Sequence, residues 1–249
     1  MPDRREVAGR CGVEAHVRAA LESYRSDPAL AAVLTEPFIR RMEIFSVALA
    51  LWGAKINLTS HPQDPAETAF HIIDSLMPLA LRPKHPPLPD SDTLQALSDA
   101  FTAGKRILDF GSGAGFPGLV LASACDARFT LVEARRKRAS FLTVVAAEMA
   151  LDNVEILATR LIAATIVPSF NAVVSRASGP ASEFYDIASH ALLPRGLAIL
   201  YSGPSQRLDL AAAKKAGLGT YRRYRYSLRR GGAVADRTLS TWHKTEKHP

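Results

Sequence analysis

The segment Asp109-Phe110-Gly111-Ser112-Gly113-Ala114-Gly115-Phe116-Pro117-Gly118 decides the fold. It follows the short apolar run that begins Arg106-Ile107-Leu108, and it opens a helical stretch at 117–124. Glycines at a strand end let a ligand approach the backbone closely, and the helix that follows offers unpaired N–H groups and positive potential. Open α/β sheets bind their ligands at the carboxyl ends of the strands. Four glycines and an acid at this place predict a binding loop rather than a plain turn.

Two ligand classes fit the loop. Gly113-Ala114-Gly115-Phe116-Pro117-Gly118 matches the dinucleotide fingerprint G-x-G-x-x-G. In that reading the first glycine should directly follow the strand, whereas Gly111 precedes Gly113, and Pro117 falls inside the turn. The longer pattern Asp109-x-Gly111-x-Gly113-x-Gly115 resembles the first motif of class I S-adenosylmethionine (AdoMet) methyltransferases. Glu133 ends the next apolar run, 129–133, where an acid accepts the ribose hydroxyls of either ligand. Arg135-Arg136-Lys137-Arg138 follows at once. These four charges make either a solvated helix face or a phosphate-contacting patch beside the pocket.

Further out, apolar runs at 106–110, 129–133, 154–157, 172–175 and 197–201 alternate with helical stretches at 117–124, 135–150, 181–192 and 206–216. Such alternation predicts a parallel sheet covered on both faces. Residues 219–243 have no long helical pattern and suit a closing strand pair. Towards the N-terminus, 13–24, 37–54 and 65–81 carry apolar residues at helical spacing, and a short helix is expected at 93–102. Between the last two lies Arg82-Pro83-Lys84-His85-Pro86-Pro87-Leu88-Pro89, whose prolines exclude helix and central strand. The expected architecture is a helical N-terminal cap with a Pro-rich loop (1–92) followed by an α/β domain (93–249).

Composition narrows the class. The 249 residues carry 31 Lys+Arg against 24 Asp+Glu, a formal charge of +7, which favours an anionic partner. Cys11 and Cys125 are too few for a secreted disulfide scaffold, make no metal-ligand spacing, and are read as reduced packing residues. No apolar run reaches the ~18 residues of a membrane span, and Met1–Arg10 has no hydrophobic stretch of a signal peptide. The expectation is a cytoplasmic, monomeric protein without metal.

Several segments in order resemble one family, RsmG (also called GidB), which methylates N7 of a guanine in 16S ribosomal RNA. They are Trp52-Gly53-Ala54-Lys55-Ile56-Asn57-Leu58-Thr59, His71-Ile72-Ile73-Asp74-Ser75, the glycine loop, and Leu131-Val132-Glu133 with Lys137-Arg138 and Phe141-Leu142. Val174-Ser175-Arg176-Ala177, Pro194 with Gly196, and Asp236-Arg237-Thr238-Leu239 complete the series. The glycine loop marks only the superfamily; the Asn-Leu-Thr and His-x-x-Asp-Ser segments make the match specific.

The resemblance implies a Rossmann-like class I methyltransferase fold with a mostly parallel seven-stranded sheet, AdoMet as methyl donor, and small-subunit ribosomal RNA or the small ribosomal subunit as partner. It implies that Asp109, Gly111, Gly113, Gly115, Phe116 and Glu133 hold AdoMet, with Leu161 and Ile162 at its adenine end. Arg176 would end the fourth strand at the pocket mouth, touching cofactor or guanine. Asn57, His71 and Asp74 would line the pocket from the cap. The bland readings are a core histidine for His71, core packing for Trp52 and helix-surface polarity for Asp74 and Ser75. The sequence departs from the family pattern at Ile162, usually an acid, at Asn171, usually Asp, and at Ser202-Gly203, usually Lys-Gly.

N7 of guanine carries a lone pair and no proton, so methyl transfer to it needs alignment rather than a general base. The fourth strand ends Ser175-Arg176-Ala177-Ser178, without the Asn/Asp-Pro-Pro-aromatic motif of methyltransferases acting on amino nitrogens. For RNA contact the candidates are Arg135, Arg136, Lys137 and Arg138, with Arg222, Arg223 and Arg225 interleaved by Tyr221, Tyr224 and Tyr226. An edge strand protected by charge gives the same pattern. The competing functions are a divergent member with another acceptor, a catalytically silent ribosome-binding protein, and an NAD(P)-dependent oxidoreductase.

Overall fold

The computed structural model describes residues 4–81, 91–176, 179–230 and 232–246. The Pro-rich loop at 82–89 lies outside them, as do Ala177 and Ser178. Among the described residues the chain first forms five helices: α1 (Arg4–Glu22), α2 (Pro28–Ala31), α3 (Glu36–Gly53), α4 (Pro65–Ala80) and α5 (Ser91–Ala100). Helix α3 starts where the Thr35 hydroxyl accepts from the Phe38 N–H, with Pro37 in the first turn. Its core stripe is Phe38, Met42, Phe45 and Leu49. Helix α4 is capped by Asp64, whose carboxylate accepts from the N–H groups of Ala66 and Glu67, with Pro65 next.

The α/β part follows as β1 (Arg106–Phe110), α6 (Gly118–Ala124), β2 (Arg128–Val132), α7 (Arg136–Glu148), β3 (Val154–Leu157), β4 (Phe170–Arg176), α8 (Ala181–Ala191), β5 (Leu192–Ser202), α9 (Leu210–Lys215), β6 (Leu218–Arg230) and β7 (Ala233–Lys244). The sheet order is β3-β2-β1-β4-β5-β7-β6. Strands β1 to β5 are parallel, and β7 runs antiparallel between β5 and β6. The five apolar runs are thus the five parallel strands, and 219–243 supplies the closing pair.

Alternation along β1 sends Ile107 to one face and Leu108 and Phe110 to the other. The first face is covered by α6, α7 and the cap helices, in one apolar core that runs from Val17 to Leu239. The second is covered by α8 and α9 around Phe184, Tyr185 and Trp242. Strand order reverses between β1 and β4, which sets the crevice for a ligand at their carboxyl ends. No helix among the described residues is long and apolar enough to cross a membrane.

Strand β6 changes one expectation. A bulge between Gly219 and Arg222 shifts its register against β7. Tyr221 then packs on Trp242, with ring centroids 5.2 Å apart, while Tyr224 and Tyr226 pack against the core on the cap side. Each tyrosine therefore covers apolar surface instead of standing out as a stacking platform.

Candidate functional site

The glycine loop turns on three residues with positive φ: Gly111 at 74°, Gly113 at 56° and Gly115 at 91°. A Cβ at Gly115 would lie 2.7 Å from a Leu119 methyl, so this glycine also allows the close packing of α6. The N–H groups of Gly111 and Ser112 both donate to the Val132 carbonyl, which ties the loop to the end of β2. Asp109 lies fully buried beneath it. Its Oδ2 accepts from the Gly118 N–H at 3.1 Å, and its Oδ1 has no partner. Burial pushes this carboxyl up to about 7.

Above the loop a cavity of about 510 Å³ opens at the carboxyl ends of the strands. Glu133, immediately after β2, forms part of its wall. One oxygen of this buried carboxylate accepts from the Gly113 N–H at 3.0 Å, the other from the Arg135 N–H at 2.8 Å. The acid is thereby fixed in orientation, and a carboxylate has lone pairs left for further donors. Gly111, Gly113, Phe116, Leu161 and Arg176 share the wall, as do Arg135 and Arg138 from the α7 end. From the cap come His71, Leu58, Thr59 and Ser60.

Other named positions lie off the wall. Asp109 and Gly115 sit behind the loop as its supports. Ile162 turns outward and is 63% exposed. The side chain of Asn57 is exposed, and its carbonyl accepts from Arg138 Nε and Nη2 at 3.0 and 2.6 Å. Arg138 thus clasps the cap's 54–64 loop to the domain. Asp74 is buried and has no place in the cavity wall. It accepts from Arg176 Nη1 at 3.2 Å, from Arg237 Nε and Nη2 at 3.1 and 2.9 Å, and from the Tyr226 hydroxyl at 2.7 Å. Of the other basic candidates, Arg136, Lys137 and Arg225 are exposed. Arg222 donates to the Tyr221 carbonyl and Arg223 to that of Gln206.

His71 stands between Phe70 and Phe116, 5.3 Å from each ring. Its Nε2 is 3.2 Å from Glu67 Oε1, and Arg230 grips the same carboxylate with two hydrogen bonds of 2.8 and 2.7 Å. Burial first, then the charges of Arg176, Arg230 and Arg237, pull the ring down to about 2. At neutral pH it is uncharged, with Nε2 facing the Glu67 carboxylate and Nδ1 buried without a hydrogen-bond partner. Arg176 lies over the Phe116 ring at 5.0 Å, so the cap and β4 meet on one aromatic residue.

The departures have local explanations. The Asn171 side-chain oxygen accepts from the Arg106 N–H at 3.0 Å, which a carboxylate oxygen would do equally. Ser202 is buried and bonded to the Thr238 hydroxyl at 2.6 Å, between β5 and β7 and away from the surface. Sequence reading did not find Glu67, Arg230, Tyr226 or the buried end of Arg237 as neighbours of the site. Their signal is pairing across 152 to 163 residues of chain, which no local pattern carries.

A sheet of this order, with a glycine loop after β1 and a buried acid after β2, defines a class I AdoMet-dependent methyltransferase. Residues 88–223 match the family model GidB, rRNA small subunit methyltransferase G. The chain is 35% identical over 190 residues to the ribosomal RNA small subunit methyltransferase G of Sorangium cellulosum, covering 74% of this chain and 72% of that one. The protein of the same name from Acidiphilium cryptum is 34% identical, over 73% of this chain and 76% of its own. That from Chromobacterium violaceum is 29% identical, over 70% and 75%. The chain belongs to the GidB family of small-subunit ribosomal RNA methyltransferases.

Proposed function

We propose that this protein methylates N7 of a guanine in small-subunit ribosomal RNA. The observation that carries the reading is the cavity itself. It joins a glycine loop and a fixed ribose-facing acid on one side to an aromatic and cationic wall without a titrating base on the other.

AdoMet fits the residues present. The positive-φ turn of Gly111 and Gly113 brings backbone close to the cavity, Glu133 offers oriented acceptors for ribose hydroxyls, and Leu161 supplies an apolar wall for the adenine end. Bound there, AdoMet would supply a methyl group already activated by its sulfonium. Phe116, His71 and Arg176 then shape the acceptor half. Guanine N7 brings its own lone pair, so these side chains have to align and exclude water rather than remove a proton. His71 suits this role because its ring stays neutral across the physiological range.

The RNA is met by charge. Arg135 lines the cavity at the start of α7, the exposed Arg136 and Lys137 follow it, and Arg225 is exposed on β6 at the other edge of the sheet. Such contacts position a phosphate backbone without reading sequence.

The test is transfer of labelled methyl from AdoMet to small ribosomal subunits from a strain lacking the activity, with deproteinised RNA alongside. The expected result is label in RNA that digests to 7-methylguanosine. Absence of label, with AdoMet binding intact by calorimetry, overturns the acceptor while keeping the methyltransferase class.

A further inference from the structure

Among the described residues the cavity wall holds two acids, Glu133 and Glu183. Glu133 is locked between the N–H groups of Gly113 and Arg135. Glu183 stands in the first turn of α8 and is held far more loosely. Its Oε1 accepts from Arg160 Nη2 at 3.3 Å, and Arg160 is 79% exposed, so water screens the pair. Its Oε2 accepts from no donor among the described residues. Gly179 precedes it with a φ of 119°, and a Cβ there would lie 3.2 Å from Oε2, so the turn into α8 leaves room for this carboxylate.

The order of the strand ends places the acid along the cavity. From β4 to β3 the wall presents Arg176, the glycine loop, Glu133, and then Thr159, Arg160 and Leu161. A donor whose ribose faces Glu133 and whose methyl group faces Phe116 and Arg176 carries its adenine towards Leu161. Glu183 reaches that end, because its partner Arg160 directly precedes Leu161. The exocyclic amine of adenine brings N–H donors that need an acceptor once they leave water. Leu161 has no polar side-chain atom, Ile162 points to solvent, and the Arg160 guanidinium only donates. The neutral Thr159 hydroxyl is turned to the Arg160 carbonyl. Glu183 is the charged acceptor at this end.

We infer that Glu183 accepts the adenine amine of the methyl donor and makes this site selective for an aminopurine over an oxopurine. An oxopurine would set its carbonyl oxygen against the same carboxylate. The selectivity thus comes from α8, across the cavity from the loops that hold the ribose. This rests on the methyltransferase reading, not on the identity of the acceptor.

The probes are S-adenosylhomocysteine, which is the donor without its methyl group, and S-inosylhomocysteine, in which the amine is replaced by an oxo group. Binding is measured by calorimetry on the whole protein without RNA. The wild type is expected to bind the adenosyl ligand more tightly by roughly ten- to a hundredfold, the range of a hydrogen bond to a charged group. Glu183→Ala should bring the two affinities together, by weakening the adenosyl ligand and sparing the inosyl one. Glu183→Gln should also narrow the gap, by tightening the inosyl ligand, because its amide can turn to donate to the oxo group. Both changes fall on a partly exposed side chain, and the partner they leave is in water, so neither strands a buried charge.

Arg160→Met is the control. It removes a wall charge but keeps the acceptor, so the preference for the adenosyl ligand should persist. Loss of the preference in Arg160→Met to the same extent as in Glu183→Ala would assign it to the ion pair and overturn the inference. A preference that survives Glu183→Ala, or two ligands weakened by the same factor there, overturns it as well. Equal affinity of the wild type for both ligands does so while leaving the methyltransferase class intact. No binding of either ligand would overturn the class and the inference together.

Discussion

At the scale of single residues, Asp109 shows how the loop is held. A Cβ on Gly118 would lie 2.4 Å from Asp109 Oδ2 and 2.9 Å from Leu131 Cγ. Gly118→Ala is therefore expected to cost about 1–3 kcal/mol, as overpacked sites do, read by chemical denaturation. The buried carboxyl also sets a pH signature. Folded Asp109 keeps its proton up to about 7, and the unfolded chain releases it near 3.8. Its contribution is fully present below pH 4 and is lost as pH rises through 7. Asp109→Asn is nearly isosteric with the neutral acid and keeps an acceptor for the Gly118 N–H. Wild type relative to this variant should thus gain stability as pH falls from 7 to 4, by up to about 4 kcal/mol. Denaturation curves across that range check it. A flat difference would mean that Asp109 titrates normally and sits in a wetter place. His71, down to about 2, contributes in the opposite sense as pH falls below 6.5, which is why the difference between the two proteins is the useful quantity.

At the scale of elements, the parallel strands and their helices were legible because each carries its own signal. The apolar run at 106–110, the glycines after it and the acid at 133 are contiguous, and local chemistry dictates the turn. Strand β6 was legible as an edge but not in its facing. The bulge before Arg222 decides which side each tyrosine takes, and nothing in Tyr221-Arg222-Arg223-Tyr224-Arg225-Tyr226 announces it. Asp74 was misjudged for a related reason. Helical spacing on α4 places it in sequence beside His71, but the partners that pull it off the wall come from β4, β6 and β7. The consequence for RNA is specific. Arginine charge remains on β6 while its tyrosines are spent on packing, so binding there should be electrostatic rather than stacked. Arg225→Ala should then lower the slope of log affinity against log salt by about one for the lost phosphate contact, with little change in sequence preference. Tyr221→Phe should leave that slope unchanged. Salt titrations of RNA binding separate the two.

At the scale of the whole molecule, the cap and the sheet domain are stitched at points far apart in sequence. Tyr24 donates to the Arg229 carbonyl, Tyr201 to that of Ser75, Arg41 to that of Ser123, and Arg138 to that of Asn57. Phe45 of the cap packs edge-on against Phe116 of the glycine loop at 5.0 Å. Splitting the two parts would expose this core and strand the buried charges of Asp74, Arg176 and Arg237, a loss far larger than the marginal stability of a domain. The chain is therefore expected to unfold in one step, although the sequence divides into a helical and an α/β part. Its two tryptophans stand in the right places to tell. Trp52 is on α3 against Phe141, and Trp242 is on β7 in the core of the opposite face. Trp52→Phe and Trp242→Phe each leave one reporter, and their fluorescence midpoints in denaturant, corrected for each variant's own stability by circular dichroism, should coincide with loss of helix. AdoMet at about a hundred times its Kd should raise stability by about 2.7 kcal/mol, and by the same amount at both reporters, because the cavity is walled by both parts. A Trp52 transition that precedes the Trp242 transition, or one that fails to move with ligand, would show a cap that opens by itself and would make donor binding a property of the sheet domain alone.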